Sequence, residues 1–129
     1  MDEKLSILLV EDNVLNQRIV TFSLKKYSHD VTIANNGVEA IEKFKEGNFD
    51  VILMDIMMPE MDGLEATVKI RELENSLNNN PRTPIIALTA NTMDNDREKC
   101  ISYGMDEFMA KPFDIEKLKQ IFQDLEIVK

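Results

Sequence analysis

Three short runs of uninterrupted apolar residues, Ile7 to Val10, Val51 to Met54 and Ile85 to Leu88, constrain this chain more than anything else in it. Each has the length of one strand, and none alternates apolar with polar residues. Alternation is what a sheet with one wet face requires, whereas unbroken runs suit strands covered on both faces, as in a parallel sheet. Two weaker candidates, Val31 to Ala34 and Glu107 to Ala110, are expected to flank them. Helical periodicity fills the intervals. Leu15, Ile19 and Phe22 mark one amphipathic stripe, Val38, Ile41 and Phe44 a second, and Leu64 with Val68 a third. Leu118, Ile121, Phe122 and Leu125 form the clearest. The segment Met93 to Ser102 offers only Met93, Cys100 and Ile101 as apolar anchors, so it is expected to be the least firmly held helix.

Strand then helix, five times over, argues an α/β fold: a doubly wound, five-stranded parallel sheet with right-handed crossovers and five flanking helices. The glycines and prolines fall between or at the ends of these segments, and Asn75 to Thr83 reads as a polar loop. Nothing marks a repeat or an internal boundary, so residues 1–129 read as one domain, long enough to bury roughly two-thirds of the unfolded surface.

Charge narrows the function classes. With 15 Lys and Arg against 24 Asp and Glu, the formal net charge is -9. Such a chain is repelled by nucleic-acid phosphates and anionic lipid, and no basic run offers an exception. The single cysteine, Cys100, excludes an internal disulfide and fits a reducing compartment. The first residues lack the apolar stretch of a signal peptide, and no apolar run reaches membrane-spanning length. A cytoplasmic location, with neither direct nucleic-acid binding nor membrane insertion, is the expectation.

In open parallel sheets ligands bind beyond the carboxyl ends of the strands. Of the five candidate strands, Glu11 and Asp12 follow the first, Asp55 the third, Thr89 the fourth, and Lys111 with Pro112 the fifth. Three carboxylates gathered about 5 Å apart would cost on the order of 10 kcal/mol in repulsion at an effective dielectric near 20. Lys111 offsets only part of that. The remainder must be relieved by protonation or by a cation, and an all-oxygen donor set without histidine or thiolate points to a hard ion, Mg²⁺ or Mn²⁺. A carboxylate beside such a cation can attack phosphorus and form an acyl phosphate. Asp55, on the run that reads as the most buried strand, is the best nucleophile; Glu11 and Asp12 are better placed as metal ligands. Lys111 would neutralise phosphoryl oxygens and Thr89 would donate a hydrogen bond to the product.

These segments closely resemble response-regulator receiver domains of two-component signalling. The carrying pieces are Leu8-Leu9-Val10-Glu11-Asp12-Asn13, then Leu53-Met54-Asp55 through Pro59 to Gly63, then Pro84 to Ala90, and finally Gly104-Met105-Asp106 with Lys111-Pro112. The run Glu11 to Gln17 is further similar to receivers attached to hybrid sensor histidine kinases. The resemblance implies a flavodoxin-like strand order 2-1-3-4-5. It implies a signalling domain that assists its own phosphorylation and dephosphorylation and is not a turnover enzyme. Asp55 would be the phosphoacceptor, with Asp12 and Asp55 as direct metal ligands, Glu11 acting through water and the Met57 carbonyl completing the protein ligands. Lys111 would pair with the phosphoryl group, across a cis bond to Pro112. Thr89 and Phe108 would be the switch pair. The implied partners are a histidine kinase or histidine phosphotransfer domain upstream, and a protein or domain contacting the fourth helix, fifth strand and fifth helix downstream.

Rival readings fit less well. An aspartate-nucleophile phosphatase of the haloacid dehalogenase type needs a second aspartate two positions after the nucleophile, where Met57 stands. A dinucleotide site needs a glycine-rich turn after the first strand, and Glu11 to Gln17 has no glycine. A pseudo-receiver that only binds protein is argued against by the intact acidic, threonine and lysine positions. His29 reads as an inert turn residue without a partner, Cys100 as a small helix residue and the methionines mostly as core filler.

Overall fold

Burial on both faces decides where the strands lie. In the computed structural model, which describes residues 4–56, 62–77, 82–89, 96–110, 113–125 and 127, the three apolar runs become β1 (Ser6–Val10), β3 (Val51–Asp55) and β4 (Ile85–Thr89). Every residue of β3 and β4 is buried. The weaker candidates form β2 (Asp30–Ala34) and β5 (Glu107–Ala110), and all neighbours pair in parallel in the order β2-β1-β3-β4-β5. The middle strand of the sheet is therefore β3, the one that ends on Asp55.

The helices are α1 (Val14–Lys26), α2 (Gly37–Glu46), α3 (Gly63–Leu77), α4 (Asp96–Ser102) and α5 (Ile115–Asp124). Local chemistry starts several of them. Asn13, Asn36 and Asp114 each turn a side-chain oxygen onto the first free N–H groups of α1, α2 and α5. Lys25 and Lys26 close α1 where its dipole favours cations. Strand alternation then divides the core. Ile7, Leu9, Val51, Leu53, Ile86 and Leu88 meet Val20 and Leu24 of α1 and Leu118 and Phe122 of α5. Leu8, Val10, Ile52, Met54, Ile85 and Ala87 meet Ala40 of α2, Ala66 and Ile70 of α3 and Cys100 of α4.

Four expectations need correction. The stripe Leu15, Ile19 and Phe22 exists, but it faces outward: these residues are 66%, 47% and 75% exposed. The face of α1 turned to the sheet carries Gln17, Val20 and Leu24, so a polar residue replaces an apolar one in the buried row. Val38 and Val68 are likewise more exposed than a core stripe requires. Next, α3 continues to Leu77, taking in part of the expected Asn75–Thr83 loop. Within α4, which begins at Asp96, Cys100 is buried and Ile101 exposed; Met93 lies outside the described residues. Finally, His29 is not inert. Ser28 adopts a left-handed φ of 70°, which tucks His29 inward, where its Nδ1 accepts the Leu5 N–H at 3.1 Å and its ring meets Phe122 edge-on at 6.3 Å.

The amino edge of the sheet is closed by charge pairs, of which Arg71–Asp106 spans 35 positions and is invisible in any local window. Arg71 of α3 donates to Glu74 at 2.7 Å, to Asp106 at 2.8 Å, and to the carbonyls of Thr83 and Gly104 at 2.8 Å each. Asp106 also accepts the Ile85 N–H, and Glu74 the Thr83 N–H, so the starts of β4 and β5 are fastened to α3.

The orientation of α1 is directly testable. Leu24→Ala, which truncates a side chain with no exposure, should cost about 2–5 kcal/mol in chemical denaturation. Phe22→Ser should stay within about 0.5 kcal/mol of the parent. Comparable losses for both would place the outer stripe in the core and overturn this orientation.

Candidate functional site

Parallel pairing brings the strand ends to one edge. Val10 pairs with Met54 and Asp55 with Leu88, so the loop following β1, the last residue of β3 and the last residue of β4 are neighbours. Carboxylate oxygens of Glu11, Asp12 and Asp55 all lie within 4.8 Å of one another. Glu11 is 1% exposed and Asp55 3%, whereas Asp12 is open to solvent.

That difference redistributes the repulsion. The buried pair Glu11–Asp55, when both are ionised, repels by about 3 kcal/mol at an effective dielectric near 20. Contacts with the exposed Asp12 are screened by water and salt and contribute less. The total is thus smaller than three equal pairs would give, and it is concentrated where solvent relieves it least. The donor set is carboxylate only, which fits a hard divalent cation held by Glu11, Asp12 and Asp55.

The backbone is built to hold these groups close. Glu11 donates its N–H to the Ala34 carbonyl at 3.0 Å, and Asn13 returns an N–H to Glu11 Oε2 at 3.3 Å. Ile56 donates to the Leu88 carbonyl and Gly63 to the Ile56 carbonyl, which brings the start of α3 against Asp55. A Cβ on Gly63 would overlap the Asp55 carbonyl oxygen and come within 2.9 Å of Met54 Cγ. Glycine is required there for close approach, with Asp62 capping the helix through the Glu65 N–H.

Thr89 closes β4 and is 3% exposed, one residue beyond the partner of Asp55. Phe108 pairs with Ala87 and packs, partly buried, on the side of the sheet that Ala87 faces, the side parity gives to Thr89 as well. Lys111, Pro112 and Met57 lie outside the described residues. Sequence reasoning passed over Gln17, which bonds the Glu11 carbonyl, and Asn35, which bonds Gln17. It also missed a cavity of about 100 Å³ between α1 and β5, lined by Glu11, Ile19, Leu88 and Phe113 among others. No periodic signal marks either.

A five-stranded parallel sheet with an acidic cluster at its carboxyl edge defines the class. The chain belongs to the response regulator receiver domain family, whose model matches residues 7–123. Across 82% of its length it is 50% identical to part of hybrid signal transduction histidine kinase B of Dictyostelium discoideum, of which it spans 6%. Across 93% it is 39% identical to part of histidine kinase 5 of Arabidopsis thaliana, of which it spans 15%. Among solved structures, it superposes on the Saccharomyces cerevisiae Ssk1 receiver domain, crystallised with the histidine phosphotransfer protein Ypd1. The TM-score is 0.91 at 31% identity, covering 99% of this chain and 94% of that one. The receiver domain of the sensor histidine kinase PA1611 of Pseudomonas aeruginosa, with magnesium in its active-site cleft, matches with TM-score 0.82 at 41% identity, covering 95% and 97%. No helix among the described residues is long and apolar enough to cross a membrane.

Repulsion between buried carboxylates predicts a specific linkage. Asp55→Asn should raise the melting temperature of the metal-free protein by a few degrees, because one buried charge is removed. Mg²⁺ should stabilise the parent by mass action, by about 2.7 kcal/mol at a hundredfold excess over its dissociation constant, and should stabilise Asp55→Asn far less. Melting curves indifferent to millimolar Mg²⁺ would count against the site.

Proposed function

We propose that Asp55 accepts a phosphoryl group from a phosphohistidine of a histidine kinase or histidine phosphotransfer domain, in a Mg²⁺-dependent reaction, and that the modified receiver changes shape to signal to a partner. The observation that supports this most is a buried carboxylate at the end of the middle strand, within 4.8 Å of those of Glu11 and Asp12. The PA1611 receiver with magnesium and the Ssk1 receiver with Ypd1 lend it weight by likeness.

The chemistry is a single displacement. A carboxylate oxygen of Asp55 forms a bond to phosphorus as the bond from phosphorus to the imidazole nitrogen breaks; that nitrogen keeps the electron pair and takes up a proton. Asp12, Asp55, the Met57 carbonyl and, through water, Glu11 would hold a Mg²⁺ ion, or Mn²⁺ in its place, which would supply positive charge to offset that of the phosphoryl group. Lys111 supplies a second positive charge, and the Thr89 hydroxyl donates to a phosphoryl oxygen of the product. Burial of Asp55 keeps competing water away from the acyl phosphate. The domain thus acts as a cytoplasmic signalling module and not as a turnover enzyme.

The donor must approach from the carboxyl edge, where α1 begins two residues after Asp12. The outward row of Leu15, Ile19 and Phe22 lies along that approach, and an apolar row rimmed by polar residues is what a protein partner covers. On the other side, Thr89 and Phe108 connect the site to α4, β5 and α5. Drawing Thr89 toward the phosphoryl group vacates space for the Phe108 ring, and this differential contact biases the two states of the downstream face.

Three measurements test the proposal. Acetyl phosphate or beryllofluoride with Mg²⁺ should modify the parent at Asp55 alone, read by intact mass; an adduct on Asp55→Ala, or none on the parent, refutes the acceptor assignment. Phe22→Asp should slow transfer from a phosphotransfer domain at least tenfold while leaving modification by acetyl phosphate unchanged, an expected loss of about 1.4 kcal/mol in docking. Thr89→Ala should still be modified, yet lose most of the change in amide exchange at residues 96–110. Equal changes in parent and mutant would refute the coupling.

A further inference from the structure

One buried polar residue next to the acidic loop takes no part in the phosphoryl chemistry. Gln17 lies on the first turn of α1, 8% exposed, in the row that faces the sheet. A buried amide is tolerated only when its donors and acceptor are matched. Its Nε2 donates to the Glu11 carbonyl at 2.6 Å and to Asn35 Oδ1 at 2.8 Å. Asn35, just beyond β2, donates from Nδ2 to Glu39 Oε1 at 3.0 Å and from its backbone N–H to the same oxygen at 3.2 Å. Glu39 in turn donates its N–H to the helix cap Asn36 at 2.9 Å. The direction of this chain is fixed by its ends. A backbone carbonyl and a carboxylate can only accept, so both intervening amides have one possible orientation.

Glu11 is consequently held at both backbone polar groups, its N–H by Ala34 from β2 and its carbonyl by Gln17 from α1. Residues 11–13 are the short connection that carries two of the three mutually repelling carboxylates. Repulsion from Asp55 pushes that connection outward, and the bonds to Ala34 and Gln17 oppose it. A glutamine opposes it without adding a cation, so the negative field at the site is kept for a ligand. We propose that Gln17 is a positioning residue for the cation site: through the Glu11 carbonyl it holds the acidic loop in cation-binding geometry, and through Asn35 and Glu39 it ties that loop to the start of α2. This rests on the reading of Glu11, Asp12 and Asp55 as a divalent-cation site.

The test uses the whole chain and Mg²⁺ alone, titrated calorimetrically. Gln17→Met keeps the length and removes the hydrogen bonds; it should weaken Mg²⁺ binding about tenfold, the usual scale for loss of a group that orients a ligand. Asn35→Ser, at an exposed loop position, should cause a smaller loss of the same sign and guards against misfolding of the core variant. Leu24→Ala, a core truncation on the same helix, should lower the melting temperature and leave Mg²⁺ affinity unchanged. Amide exchange without metal should accelerate at residues 11–13 and 35–39 in Gln17→Met. Parent-like affinity in both Gln17→Met and Asn35→Ser, or an affinity loss in Leu24→Ala equal to theirs, overturns the positioning role while the cation site stands. A parent that binds no Mg²⁺ overturns both.

Discussion

Glu11 and Asp55 are acids from neighbouring strand ends, both out of reach of bulk water, and their mutual repulsion is the constraint around which the rest of this fold is arranged. A parallel sheet makes that juxtaposition unavoidable, because every strand delivers its carboxyl end to the same edge. The apolar runs beneath leave no polar floor to spread the charge. The backbone does the holding instead: Gly63 allows the start of α3 to sit against the Asp55 carbonyl, Ala34 and Gln17 fix the backbone of Glu11, and Asn13 both caps α1 and donates to the Glu11 carboxylate. Each of these residues is small or neutral. None reduces the charge, and all reduce the freedom with which the carboxylates could separate.

An edge prepared in this way favours whatever neutralises it. A ligand that binds only the folded state stabilises it with occupancy, so a cation held at this edge would offset the repulsion there. Placing Asp55 on the middle strand matters for the same reason. β3 is paired on both sides, to β1 and to β4, so a displacement at its end is met by Glu11 on one neighbour and Thr89 on the other. Thr89 in turn neighbours β5, where Phe108 shares its face. Asp55 and Phe108 are thus two strand spacings apart.

Much of this could be read from residue order. Unbroken apolar runs marked the buried strands, and the acids and threonine that follow them marked the edge. What resisted reading was orientation and reach. Apolar periodicity placed Leu15, Ile19 and Phe22 on one stripe of α1 correctly, but periodicity carries no sign. The row that turned inward contains Gln17, whose amide donates to the Glu11 carbonyl and to Asn35, 18 residues away. His29 was misread for a related reason: its inward position follows from the left-handed Ser28, and its partner Leu5 is 24 residues distant. A pattern of hydrophobicity cannot register a polar group whose burial is made tolerable by a distant acceptor or donor.

The same limit hid the opposite edge of the sheet, where the electrostatics are reversed. Arg71 and Arg82 meet Glu74 and Asp106, and the guanidinium of Arg71 is almost fully used by two carboxylates and two carbonyls. Charge-assisted bonds of this geometry are directional and partly shielded from solvent, and they resist separation more strongly than exposed pairs. Since they clasp Gly104 and Asp106, they anchor the segment leaving α4 and the start of β5, while the other ends of β4 and β5 run toward the acidic edge. Complementary charge fixes one end of these strands; like charge leaves the other end responsive. Under the proposed switch, a change at Asp55 would meet a structure clamped at its far side, and its effect would run along β4, β5 and α4 instead of dissipating as a rigid shift of the whole sheet.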